Sequence, residues 1–259
     1  MPLKAGVVQF SPLYGRVVEN LDNLERWVQQ GAEQGAKLLV LPEMAWTGYL
    51  WPNAAALGPF AEEAGFGPGQ SRLQAWARRF DLTLVCGFPE RCGTAFFNSQ
   101  TIVTPEGTLG PVYRKQHLFE ADTWWAEAGT DPYHQWAWKG FTVGSGICMD
   151  LNDPDLVQYH ASQKTSVLAF STNWLDEEFN VIPYWEERLH GAEAPYEGYA
   201  LFANRGGQEW GVSFRGQSAI FENGRCLASL SGKDDGVLVA ELTGLSDFRP
   251  EAKIPTQAS

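Results

Sequence analysis

Lys37-Leu38-Leu39-Val40-Leu41 carries four large apolar side chains in a row and stops at Pro42-Glu43. A strand with one wet face alternates polar and apolar residues, whereas one covered on both faces need not, so this run predicts a strand buried between two layers. Ahead of it, Leu21, Leu24, Trp27, Val28 and Ala32 recur with a helical period from Asn20, and Gly35 ends that helix. The same alternation returns: Gln70 to Phe80 reads as a helix with Leu73, Trp76 and Ala77 inward, and Leu82 to Gly87 as another buried strand. Phe97–Thr104 and Thr108–Arg114 flank Pro105-Glu106-Gly107 and predict an antiparallel hairpin. Phe141–Ile147 is a strand running into Cys148, and Asn152-Asp153-Pro154 starts a helix that extends to about Gln163. Ser166–Ser171 reads as a strand, Tyr184–Phe202 as a second long helix running into a strand, and 211–221 with 225–231 as a hairpin around Asn223-Gly224. The fold class is α/β, a mixed sheet system covered by helices. No linker, charge block or fixed-period repeat cuts the chain, so one domain is expected over 1–245, followed by a polar, irregular tail at 246–259.

Charge and cysteine usage narrow the function. The 19 Lys and Arg against 31 Asp and Glu give a net charge of −12, a balance that repels phosphate and argues against nucleic acid or an anionic membrane as partner. No apolar run approaches the ~18 residues of a membrane span, and residues 1–10 show no secretory leader. The expected location is the cytoplasm. Cys86, Cys92, Cys148 and Cys226 include no C-x-x-C pair, and the four histidines form no H-x-x-x-H pair, so neither a metal nor another cofactor is expected.

Strand ends are where α/β proteins place their chemistry, and three carry reactive residues: Glu43 after Leu41-Pro42, Lys115 after Val112-Tyr113-Arg114, and Cys148 after Gly144-Ser145-Gly146-Ile147. Taken singly, each has a bland explanation: a helix-capping carboxylate, a solvated lysine, an inert interior thiol. Together they supply what sulfur attack on an amide or nitrile needs: a base, a cation for the oxyanion, and a nucleophile. A Glu flanked by apolar chain tends toward a raised pKa suited to general-base work. Lys115 would hold the oxyanion with the Met149 N–H, and the positive end of the helix after Cys148 would favour the thiolate.

In this order the motifs resemble the nitrilase superfamily of carbon–nitrogen hydrolases. The likeness runs from Gly6-Val7-Val8-Gln9-Phe10 to about Ser229 through Leu39–Glu43, Tyr113–Phe119, Gly146–Asp150, Ala203-Asn204-Arg205-Gly206-Gly207 and Phe214-Arg215-Gly216-Gln217-Ser218. It implies a four-layer α-β-β-α sandwich, Glu43 as base, Lys115 as oxyanion stabiliser, Cys148 as nucleophile and Glu127 as a second acid. It also implies a homodimer. The family often has an aromatic residue after Cys and an Arg two residues beyond the following Asp; here Met149 and Asn152 stand there. The Cys-Met-Asp-Leu-Asn run, Tyr-Arg-Lys upstream and Trp124-Trp125 before Glu127 are similar to the protein N-terminal asparagine/glutamine amidase branch. The implied substrate is a small amide or a peptide N-terminus, hydrolysed to carboxylate and ammonia. A nitrilase or an N-carbamoyl amide hydrolase would use the same triad, and a non-catalytic scaffold would have no reason to keep all three residues. Trp46, Tyr49, Trp51, Trp124, Trp125, Asn173 and Trp174 follow the strands and are candidates for substrate walls, although tryptophans near a sheet end are as often core.

Overall fold

A computed structural model describes residues 3–176, 180–191 and 194–243. The first half builds β1 (Lys4–Gln9), α1 (Val17–Glu33), β2 (Leu38–Val40), the one-turn α2 (Ala54–Leu57), α3 (Pro68–Phe80), β3 (Thr83–Cys92), β4 (Ala95–Val103) and β5 (Leu109–Arg114). The second half builds β6 (Gln135–Trp138), β7 (Phe141–Ile147), α4 (Pro154–Ser162), β8 (Val167–Thr172), α5 (Val181–His190) and β9 (Tyr199–Asn204). Five short strands follow: β10 (Gln208–Glu209), β11 (Val212–Ser213), β12 (Ala219–Glu222), β13 (Arg225–Ser229) and β14 (Gly236–Glu241). One six-stranded sheet has the order β14-β1-β2-β3-β4-β5 and the other β13-β12-β9-β8-β7-β6, each with a parallel centre and antiparallel edges.

The continuous apolar runs are explained by where each alternate side chain goes. Ala5, Val7, Leu38, Val40 and Val85 face Val143, Val167, Ala169, Leu201 and Ala203 of the other sheet. Their neighbours Val8, Leu39, Leu41, Leu84 and Cys86 turn the other way onto α1 and α3. In the second sheet Leu168, Phe170, Ala200 and Phe202 pack beneath Leu156, Val157, Trp185 and Leu189 of α4 and α5. This is the α-β-β-α sandwich: both faces of each central strand are dry, so neither needs polar residues.

Several local expectations shift. The helix and strand expected over Tyr184–Phe202 are both present, but the helix starts earlier and stops sooner: α5 runs Val181–His190, capped by Gly191 (φ +63°), and β9 begins only at Tyr199. The segment 211–221 is likewise broken between β11 and β12, and the hairpin at Asn223-Gly224 is β12–β13. β6 and β14 were not anticipated; β14 completes the first sheet against β1 from 227 or more residues away. The expected tail, 246–259, lies outside the described residues. Among those described, no helix is long and apolar enough to cross a membrane.

Polar bonds between the sheets align their ends. Gln100 Nε2 on β4 donates to Gly146 O, Ala169 O and Ser171 Oγ at 3.0–3.2 Å, and Ser171 Oγ donates to Leu41 O at 2.8 Å. They fix the end of β2 against the ends of β7 and β8 in a layer otherwise held by non-directional apolar contact.

Candidate active site

Three strand ends converge here. Lys115 directly follows β5, Cys148 directly follows β7, and Glu43 lies three residues past β2. Glu43 and Lys115 are fully buried and Cys148 is 6% exposed. Close packing admits this: a Cβ on Gly87 would sit 2.5 Å from Glu43 Cα, and one on Gly146 would strike the Phe170 ring at 2.3 Å. Cys148 (φ +46°) and Met44 (φ +52°), the residue after Glu43, adopt the left-handed region that disfavours side-chain-bearing residues. Such strain persists because the surroundings over-determine it. At Cys148 the determinant is Asp150, whose carboxylate accepts from Ile147 N (3.0 Å), Gln116 N (3.0 Å), His117 N (2.8 Å) and Tyr113 Oη (2.9 Å). One buried carboxylate thereby binds the nucleophile turn to the segment after Lys115.

Lys115 Nζ donates to Glu43 Oε1 at 2.8 Å and to Asp122 Oδ2 at 2.6 Å, and Asn98 Nδ2 donates to the same two carboxylates at 2.6 and 3.0 Å. Glu43 Oε2 is buried without a hydrogen-bond partner. Burial, with Asp122 adding to it, pushes the Glu43 carboxyl up to about 7, against the opposing pull of Lys115 and Asn98. Burial alone would lower Lys115, but Asp122 and Glu43 outweigh it and hold the ammonium well above its ordinary value. The Cys148 thiol is pushed up by burial and by Glu43, partly relieved by Lys115 and by the Asn173 main chain. A short 3₁₀ turn, Cys148–Asn152, separates the cysteine from α4, whose own cap is Asp153. The α4 end therefore does not abut the sulfur, and burial and Glu43 set the upward direction of the thiol's shift.

Glu127 is not part of this cluster. It is exposed, and its main-chain N–H bonds Phe96 O. The second acid on Lys115 is Asp122, which sequence reasoning passed over. The chain after Lys115 doubles back through a 3₁₀ turn at Asp122–Trp124, with Asp122 Oδ2 also accepting from Phe119 N at 2.9 Å. The available signal was an Asp seven residues past the lysine in a mostly apolar stretch. Asn98, on β4 opposite Lys115, was also missed.

A cavity of about 150 Å³ opens onto Cys148, lined by Tyr49, Phe119, Met149, Asn173, Trp174 and Leu175. Of the candidate substrate walls, Tyr49, Asn173 and Trp174 line this cavity, and Met149, the candidate oxyanion donor, lines it too. Trp46 is not: it is core, stacked on Phe88. Trp51 packs between Tyr14 and Phe60, Trp125 belongs to the cluster behind Tyr49, and Trp124 is half exposed on the surface. Indole periodicity reports burial without saying against what.

The remaining motifs hold this wall. Asn204 Oδ1 accepts from Trp174 N (2.9 Å) and Asn204 Nδ2 donates to Gly216 O (2.6 Å). Glu209 accepts from the N–H groups of Tyr49 and Leu50, and is paired at 2.7 Å with the buried Arg205, whose guanidinium lies 3.9 Å over Phe214. Glu209→Ala would leave Arg205 buried without its counter-charge, an expected loss of about 3–5 kcal/mol. A fall in the urea midpoint at unchanged slope checks it.

A model of the carbon–nitrogen hydrolase family matches residues 4–247. The chain is 30% identical to a protein N-terminal amidase of Schizosaccharomyces pombe, the match covering 93% of this chain and 99% of that protein. It is 29% identical to a nitrilase of Pyrococcus abyssi, covering 93% and 89%. Its fold superposes on a mutant of the Nesterenkonia amidase from the nitrilase superfamily with a TM-score of 0.82 at 22% identity, covering 95% of this chain and 94% of that one.

Proposed function

The chain belongs to the carbon–nitrogen hydrolase family, and from that premise we propose that it is an amidase converting a terminal carboxamide to carboxylate and ammonia through a thioester on Cys148. The observation that carries this reading is the buried Glu43–Lys115–Asp122 cluster set beside a cysteine at the floor of a cavity.

Glu43, through its unengaged Oε2, takes the thiol proton as sulfur attacks the amide carbon; the C–S bond forms and the carbonyl electron pair moves to oxygen. Lys115 has spent two of its three N–H donors on Glu43 and Asp122. The third, with the Met149 N–H, holds the oxyanion. The tetrahedral adduct collapses, the C–N bond breaks, and Glu43 returns its proton to the departing nitrogen as ammonia. Water then loses a proton to Glu43 and attacks the thioester. The C–S bond breaks, and the proton on Glu43 returns to sulfur. Asp122 keeps Lys115 charged and oriented throughout. No cofactor enters.

The favoured substrate is the side-chain amide of an N-terminal Asn or Gln. The likeness to the fission-yeast N-terminal amidase over nearly both whole chains supports it, as does a net charge of −12 that draws an α-ammonium toward the protein. Residues 1–245 act as one catalytic domain, and the protein works in the cytoplasm as a homodimer. Light scattering on the purified protein is expected to give twice 28.7 kDa. Ammonia release is expected from peptides beginning with Asn or Gln and from simple primary amides. Turnover confined to nitriles or N-carbamoyl compounds would overturn the amidase reading in favour of those relatives.

A further inference from the structure

Asn173 is 2% exposed, yet neither its Nδ2 nor its Oδ1 has a hydrogen-bond partner. Other buried amides near the sheets are different. Asn98 and Gln100 each leave one oxygen unmatched, but their nitrogens are fully engaged in holding the structure, and neither lines the cavity. Asn173 does line it, and its main chain hydrogen-bonds Cys148, which places the residue beside the nucleophile. A buried amide with both ends unmatched is expensive, and in a native protein calls for a partner. Here the partner has to offer one donor and one acceptor close together.

The rest of the cavity says what kind of molecule carries them. Its volume of about 150 Å³ equals that of roughly five waters of the liquid at ~30 Å³ each. That accommodates a short carboxamide arm and its branch point, not a long acyl chain. Tyr49, Phe119 and Trp174 supply aromatic faces, which attract a cation and repel an anion. Among the described residues lining the cavity there is no Lys or Arg to receive a carboxylate, and Lys115 is already committed to Glu43 and Asp122. An anionic group would be desolvated here without a counter-charge.

We propose that the Asn173 side-chain amide reads the substrate, Oδ1 accepting from an α-ammonium N–H and Nδ2 donating to the carbonyl oxygen on the same α-carbon. The site therefore selects α-amino carbonyl compounds bearing a short carboxamide arm and rejects ω-amides of carboxylic acids. Asn173 is a specificity-determining residue, and its role rests on the amidase reading given above.

The test compares four probes by ammonia release: the tripeptide Asn-Ala-Ala, its N-acetylated form, propionamide and succinamate. In the wild type, kcat/KM for the free tripeptide is expected to exceed that for the N-acetyl peptide and for succinamate at least tenfold. In Asn173→Ala and Asn173→Leu, the tripeptide-to-propionamide ratio of kcat/KM is expected to fall at least tenfold, chiefly through KM. A hydrogen bond to a charged group is worth at least a factor of about ten. A merely structural asparagine would lower both substrates together and leave the ratio where it was, which would overturn the proposal. Should both variants fail to fold, the wild-type comparison still decides: equal rates on the free and acetylated peptides, or turnover of succinamate as fast as of the tripeptide, would sink it. If wild-type protein releases ammonia from none of the four, the amidase reading itself fails. If it hydrolyses propionamide but shows no preference, only the role of Asn173 does.

Discussion

Cys148→Ala is expected to abolish ammonia release, with kcat lowered on the order of 10⁴-fold or more, because no other described residue lining the cavity is a nucleophile of comparable strength. The structure sharpens what accompanies that loss. The thiol is held above its ordinary range by burial and by Glu43, so the sulfur stays protonated at rest and is activated only as Glu43 takes its proton. Alkylation of Cys148 by a neutral amide-like reagent such as fluoroacetamide should therefore be fast, because the reagent occupies the substrate position, whereas iodoacetate should react slowly for lack of a cation in the cavity. Intact mass on the wild type trapped with amide is expected to show the acyl-enzyme, and the alanine variant none. An alanine variant that still releases ammonia at near wild-type rate would rule out the thioester route.

Glu43→Gln should be nearly as damaging, at about 10²–10⁴-fold in kcat/KM, the range for removal of a positioned general base. Its pH signature separates it from a packing effect. With the carboxyl pushed up to about 7, wild-type kcat/KM should fall tenfold per pH unit on the acid side of neutrality, and the residual activity of Glu43→Gln should lack that limb. Stability carries the opposite sign. The folded-state value lies above the ~4.3 of an unfolded glutamate, so between roughly pH 4 and 7 the folded protein holds a proton that the unfolded chain has released. The stabilisation belongs to the protonated side and is lost as pH rises through that window. Plotted against pH, wild-type melting temperatures should therefore decline relative to those of Glu43→Gln from pH 4.5 to 7.5. Parallel curves would show that Glu43 is not held in its protonated form by the fold.

Much of this site was legible before the fold was known, because the information is local. Lys37–Leu41 reads as a buried strand and Phe141–Ile147 as a strand, and a strand end is an exit point whatever sheet the strand joins. Glu43, Lys115 and Cys148 each stand at such an exit. The hairpin β4–β5 was legible from Pro105-Glu106-Gly107 for the same reason. What failed was whatever depended on a partner far away in the chain. β14 has six residues near the end of the chain, and its place in the first sheet follows from β1 offering it an open edge. Trp46 and Trp174 are indistinguishable in sequence, yet one stacks on Phe88 in the core and the other lines the cavity.

By itself, then, the sequence determined the layers and the three reactive exits: hydrophobic period and turn residues act within a few positions and survive any packing arrangement. Only the tertiary structure decided that Asp122 and not Glu127 bonds the lysine, and that Asn173 lines the cavity with its side-chain amide unmatched. Both are questions of which polar side chain is turned inward. The answer lies in the hydrogen-bond partners that Asn98, Lys115 and the Phe119 N–H bring from other parts of the fold, and no period along the chain encodes it.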